Sequence, residues 1–132
     1  LEAVRMKVCV IDDDPLMLEH LAEMVTGLGF EVVTAANVDT GLRLVESQGS
    51  DVAVVDILMP DRDGLTFIMD VRRTRPDLRI VAISGGGRLG AGSLLSMAGG
   101  LGADATLVKP FSSTDLAAAL GAPASTKTAR SI

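Results

Sequence analysis

Four short, mostly apolar runs in this sequence end in side chains able to do chemistry. Val8–Ile11 leads into Asp12-Asp13-Asp14, Val52–Val55 into Asp56, Ile80–Ile83 into Ser84, and Ala105–Val108 into Lys109. Gathered in one place, several carboxylates beside a single lysine would serve stability poorly. Two carboxylates ~4 Å apart repel by about 4 kcal/mol at an effective dielectric near ~20. A hard divalent cation changes that balance, because Mg²⁺ takes carboxylate and carbonyl oxygens together with water. A phosphoryl group arriving there would then meet positive charge from the metal on one side and from Lys109 on the other. Each residue alone has a plainer reading. An Asp at a strand end is commonly a helix cap, and Asp14, directly before Pro15, is read that way; a lone Lys109 would be solvated and a lone Ser84 would sit in a turn. Acid pair, acid, hydroxyl and lysine at four successive strand ends carry the argument together.

The pattern between these residues explains how they would meet. Lys7–Ile11 reads as a strand, and Pro15 behind an Asp cap starts a helix whose Leu18, Leu21, Ala22, Val25 and Leu28 share one face, ended by Gly29. Glu31–Ala35 reads as a second strand, Asn37 caps a helix to about Gln48, and Val52–Asp56 is a third strand. A loop through Met59-Pro60-Asp61-Arg62-Asp63-Gly64 leads to a helix over Leu65–Thr74, followed by a strand over Ile80–Ser84. A glycine-rich loop over Gly85–Gly92 precedes a helix at Ser93–Leu101, then a strand at Ala105–Val108. Ser112 and Asp115 form a capping box for a last helix to about Leu120. Strands alternating with helices predict an α/β fold with right-handed crossovers. The expected form is a doubly wound, five-stranded parallel sheet of order 2-1-3-4-5, flavodoxin-like, its strands continuously apolar because both faces are covered. Ligands of such sheets sit beyond the carboxyl ends of the strands, where the reactive residues fall. One domain over residues 6–120 is expected, with 1–5 as leader or added residues and 121–132 as a flexible tail.

Composition narrows the function classes. The 132 residues are 48% hydrophobic and 22% charged, with no Trp or Tyr and three Phe, so the core must be aliphatic. A net charge of -5 argues against non-specific binding to nucleic acid or an anionic membrane. No apolar stretch has the length of a membrane span, and no signal peptide opens the sequence. The single cysteine, Cys9, excludes an internal disulfide and reads as a small core residue; a reducing, cytoplasmic setting is the expectation.

Over roughly residues 6–120 the chain resembles a response-regulator receiver domain, the phosphoacceptor of two-component signalling. The resemblance is carried by Val10-Ile11-Asp12-Asp13-Asp14-Pro15, Val54-Val55-Asp56-Ile57-Leu58-Met59-Pro60, Asp63-Gly64, Ile83-Ser84 and Val108-Lys109-Pro110-Phe111. It implies that Asp56 accepts the phosphoryl group, which comes from a histidine kinase or a histidine phosphotransfer protein. It implies Mg²⁺ (or Mn²⁺) bound by Asp13, by Asp12 mainly through a water, by Asp56 and by the backbone carbonyl of Leu58. Ser84 and Lys109 would each hold a phosphoryl oxygen, and Lys109-Pro110 would be a cis peptide. The role implied is signalling through contact with a downstream protein rather than enzymatic turnover of a substrate.

The sequence departs from that family at Thr106, where the family usually places a switch aromatic, and in the long Gly85–Gly92 segment. That segment also fits G-x-G-x-x-G, but it follows the fourth strand, and Asp104 is badly placed for a ribose. Two rival readings compete. In a haloacid-dehalogenase-type phosphatase, Asp12 and Asp14 would be nucleophile and acid, but Asp56 would have no purpose. A pseudo-receiver used only for contacts would have lost part of the acid, hydroxyl and lysine set, which is complete here. His20 reads as a surface residue away from the strand-end rim, and the six methionines as core filler.

Overall fold

The computed structural model describes residues 5–59, 64–85 and 91–121, with backbone alone for 91–93. The sequence alternates β1 (Lys7–Ile11), α1 (Pro15–Gly27), β2 (Glu31–Ala35), α2 (Val38–Ser47), β3 (Val52–Asp56), α3 (Gly64–Thr74), β4 (Arg79–Gly85), α4 (Ala91–Leu101), β5 (Ala105–Lys109) and α5 (Ser113–Leu120). All strand pairs are parallel and the order is β2-β1-β3-β4-β5. The expected sheet is therefore the observed one.

The pleat divides the core in two. Val8, Val10, Val52, Val54, Val81 and Ile83 point into one cluster with Leu21 and Val25 of α1 and Leu116 and Leu120 of α5. Cys9, Ile11, Ala53, Val55, Ile80 and Ala82 point the other way, against Val38 and Val45 of α2, Phe67, Ile68 and Val71 of α3 and Ala98 of α4. Burial pushes the Cys9 thiol up to about 12, as suits an inert core residue. Continuous burial holds for β1, β3 and most of β4 but fails at the edges, where β2 and β5 keep exposed positions. An edge strand has one neighbour, so its outer side chains meet solvent.

Local chemistry sets the helix starts. The Asp14 carboxylate accepts the Leu16 amide at 3.0 Å, Asn37 accepts Thr40, and Ser112 and Asp115 form the expected capping box. The loop after β4 is shorter than expected: Gly85 ends the strand, and the helix begins at Ala91 rather than Ser93. The rest of that glycine-rich stretch, the 60–63 segment and the expected tail from 122 lie outside the described residues.

Candidate functional site

Register brings the acids level. Ile11 pairs with Val55, so Asp12 and Asp56 leave adjacent strand ends side by side, on the face that holds α1 and α5. One carboxylate oxygen each from Asp12, Asp13 and Asp56 lies within 4.8 Å of the others. Lys109, at the end of β5, reaches across: its Nζ is 3.3 Å from Asp56 Oδ2 and 3.7 Å from Asp12 Oδ2. The Lys109-Pro110 bond is cis, as the resemblance implied.

The two buried acids are held differently. Asp56 Oδ1 accepts the Leu58 amide at 2.9 Å, a local turn that orients the carboxylate and the loop after it together. Asp12 is wholly buried; its Oδ1 accepts the Asp14 amide at 2.9 Å, while Oδ2 accepts no hydrogen bond from the described residues. Burial is the main cause that raises the Asp12 pKa, and the Asp56 and Asp13 charges add to it, against the Asp14 amide and Lys109. A buried carboxylate oxygen without a donor is costly unless a cation or a proton meets it. One lysine shared between two carboxylates leaves the cluster net negative, which suits a hard cation with oxygen ligands.

Ser84 is placed less simply. It stands one residue beyond Ile83, the register partner of Asp56, and the pleat assigns it to the opposite face of the sheet. Its hydroxyl is buried and has no hydrogen-bond partner among the described residues. Thr106 is exposed on β5 opposite Ala82, with no ring at that position. Asp104, the acid of the dinucleotide reading, is engaged elsewhere, by the Ile80 amide at 2.8 Å and by Arg72 at 2.9 Å. The phosphatase reading needed Asp14 as an acid, and that carboxylate caps α1 instead.

One expectation is corrected. His20 is exposed, but it is not remote from the rim: with Met17, Met24, Lys109, Pro110 and Phe111 it lines a cleft of about 150 Å³ between α1 and the β5–α5 connection. Met17, His20 and Met24 stand at i, i+3 and i+7, a spacing that could have shown a common face, but not that the cis turn packs opposite it.

A flavodoxin-like sheet whose switch point carries three carboxylates countered by one lysine defines a small class of proteins. A family model described as the response regulator receiver domain matches residues 8–121, and the chain belongs to that family. It is 31% identical over 121 residues to a probable chemotaxis protein CheY of Rhizobium etli, covering 91% of this chain and 93% of that protein. It is 32% identical over 111 residues to the photosynthetic apparatus regulatory protein RegA of Rhodobacter capsulatus, covering 84% of this chain and 59% of RegA. The chain thus spans less than two thirds of several curated relatives that it matches. Among solved structures, a Burkholderia pseudomallei response regulator with a phosphorylated aspartic acid, calcium ion and citrate superposes with a TM-score of 0.78 at 28% identity, covering 96% of this chain and 72% of that one.

Proposed function

We propose that this receiver takes a phosphoryl group onto the Asp56 carboxylate, and that residues 6–120 suffice for the reaction. The observation that carries the proposal is the trio of Asp12, Asp13 and Asp56 oxygens within 4.8 Å, with Lys109 Nζ 3.3 Å from Asp56. The donor is a phosphohistidine on a histidine kinase or a histidine phosphotransfer protein. An Asp56 oxygen bonds to phosphorus as the phosphorus–nitrogen bond breaks, and the leaving imidazole keeps the electron pair and takes up a proton.

This chain's residues orient the acceptor and meet the incoming charge. The Leu58 amide and Lys109 fix the two Asp56 oxygens, and Lys109 turns to a phosphoryl oxygen as the acceptor oxygen is consumed. Ser84, with a hydroxyl free to donate, takes a second phosphoryl oxygen. Asp12, Asp13, Asp56 and the Leu58 carbonyl would hold Mg²⁺ or Mn²⁺, which would supply positive charge opposite Lys109. Asp12 Oδ2, buried with no hydrogen-bond donor among the described residues and only the 3.7 Å ion pair to Lys109, fits that ion. The phosphorylated aspartate and calcium ion of the Burkholderia relative support the reading by analogy. The product is a signalling state read by a downstream protein through contact rather than a released compound. Among the described residues no helix is long and apolar enough to cross a membrane; a cytoplasmic site of action is part of the proposal.

Intact mass after incubation with acetyl phosphate tests the proposal. Wild type gains one phosphoryl mass with Mg²⁺ and gains none with a chelator or as Asp56→Asn. Phosphorylation that persists in Asp56→Asn and is lost in Asp12→Asn would overturn it in favour of a phosphatase-like nucleophile.

A further inference from the structure

Gly64 opens α3, and the usual reasons for a glycine do not account for it. Its φ is outside the left-handed range, so the backbone there suits any residue. Alanine is the better helix former, so helix propensity argues against glycine as well. Proximity remains. A Cβ on Gly64 would lie 2.6 Å from the Asp56 carbonyl oxygen, 2.8 Å from Ile57 Cα and 3.0 Å from Val55 Cγ2. Two of these three atoms are backbone and cannot rotate away. At Gly41 the corresponding collision, 2.6 Å, is with the tip of the Ile11 side chain, which can move. At Gly99 in α4 nothing lies within 4 Å.

The same residue closes the loop that follows the acceptor. The Gly64 amide donates to the Ile57 carbonyl at 3.3 Å, and one residue further on the Leu58 amide donates to Asp56 Oδ1 at 2.9 Å. The first turn of α3 therefore rests directly on the peptide groups of Asp56 and Ile57. These groups set the direction of the Asp56 carboxylate and of the Leu58 carbonyl.

We propose that Gly64 is a positioning residue for phosphoryl transfer: without a side chain, it lets α3 press on the Asp56–Ile57 backbone and hold the acceptor level with Asp12 and Asp13. The inference rests on the reading of Asp56 as phosphoacceptor. A methyl group at Gly64 displaces either the helix or the acceptor strand end by a fraction of an ångström or more, and small misplacements of reacting groups have large effects on rate.

The test compares Gly64→Ala with wild type, with Gly99→Ala as the control helix glycine. Three quantities are read: melting temperature in chelator, the Mg²⁺ concentration at half-maximal thermal shift, and the rate of phosphoryl gain from acetyl phosphate. Gly64→Ala is expected to be phosphorylated about tenfold more slowly or worse, and to need about tenfold more Mg²⁺. Gly99→Ala keeps the wild-type rate and midpoint. A Gly64→Ala protein that melts lower but keeps the wild-type rate and Mg²⁺ midpoint overturns the proposal, because the glycine is then only structural. Should Gly64→Ala not fold, amide exchange of the wild type decides: protection at Gly64 and Leu58 rises with Mg²⁺ if the clamp serves the site, and unchanged exchange overturns the idea. A wild type that takes up no phosphoryl group overturns the phosphoacceptor reading itself, an outcome distinct from a normal Gly64→Ala.

Discussion

The two ends of this sheet treat charge in opposite ways. At the amino ends of the strands, arginines are matched to acceptors. Arg72 donates to the carbonyls of Gly102, Arg75 and Leu78 and pairs with Asp104. Arg75 reaches the Ser50 carbonyl and Asp77, and Arg79 the Ala119 carbonyl. Hydrogen bonding to Arg75 holds the Asp77 carboxyl below its usual range. At the carboxyl ends, Asp12 and Asp56 share Lys109 with Asp13 close by, and among the described residues the buried Asp12 Oδ2 and Ser84 Oγ have no hydrogen-bond partner. The neutral Ser50 hydroxyl is the exception at the lower end. The lower end holds helices to strands, so its polar groups are mutually satisfied. The upper end is built to be completed by ligands, so part of its polar inventory waits for them.

The largest effect on stability should come from the lower end. Arg72→Ala removes the side-chain donor from the Gly102 and Leu78 carbonyls and breaks the ion pair with Asp104, at a cost of about 3 kcal/mol. Urea unfolding would show the loss, while the folded fraction should still take a phosphoryl group from acetyl phosphate at close to the wild-type rate. A comparable loss of rate would mean that the two ends are not independent.

Asp12→Asn should act with the opposite sign. Its raised folded-state pKa means that, without metal, the unfolded chain ionises first as pH rises through the ordinary aspartate value near ~3.9. The folded state then binds more protons than the unfolded one, so metal-free wild type loses stability from there until the raised folded pKa is passed, and is flat above it. Asp12→Asn removes that loss and should be more stable than wild type in chelator at neutral pH. Denaturation in chelator across that pH range checks it; a less stable Asp12→Asn would show that the carboxylate is already compensated.

Leu58, an exposed apolar residue beside the acceptor, should have a smaller influence on the lifetime of the phosphorylated state. Hydrolysis needs a water held in line behind phosphorus, and a leucine side chain next to the acceptor offers that water no hydrogen bond. Self-dephosphorylation should be slow, and Leu58→Asn should speed it by about fivefold, a change of roughly 1 kcal/mol in the barrier. Decay of phosphoprotein in Mg²⁺ after donor removal is the measurement, and identical lifetimes would refute water positioning at this residue. The smallest effect is expected at Thr106: it is exposed, and Thr106→Ala should alter stability by no more than about 0.5 kcal/mol.

Most of the upper end was legible in the sequence because its residues stand at strand ends, and strand ends are local signals. Asp14, Asn37 and Ser112 announced their helices through caps, and the apolar runs announced the strands. What was hidden depends on contacts between distant segments. Arg72 looks like any charged residue late in a helix until Gly102 and Asp104, thirty and thirty-two positions on, are folded against it. Gly64 was visible as part of a motif, but its reason is the distance to the Asp56 carbonyl. The approach of His20 to Lys109 and Pro110 and the exposure of the edge strands also follow from packing order rather than spacing.

The difference between the ends is tested most directly by melting wild type and Asp13→Ala in chelator and in saturating Mg²⁺. Binding at a hundred times the dissociation constant adds about 2.7 kcal/mol, or roughly 10 °C for a domain of this size. Wild type should rise by that order in Mg²⁺, and Asp13→Ala should barely move. Equal shifts in the two proteins, or none in wild type, would contradict a carboxylate cluster that awaits a divalent cation.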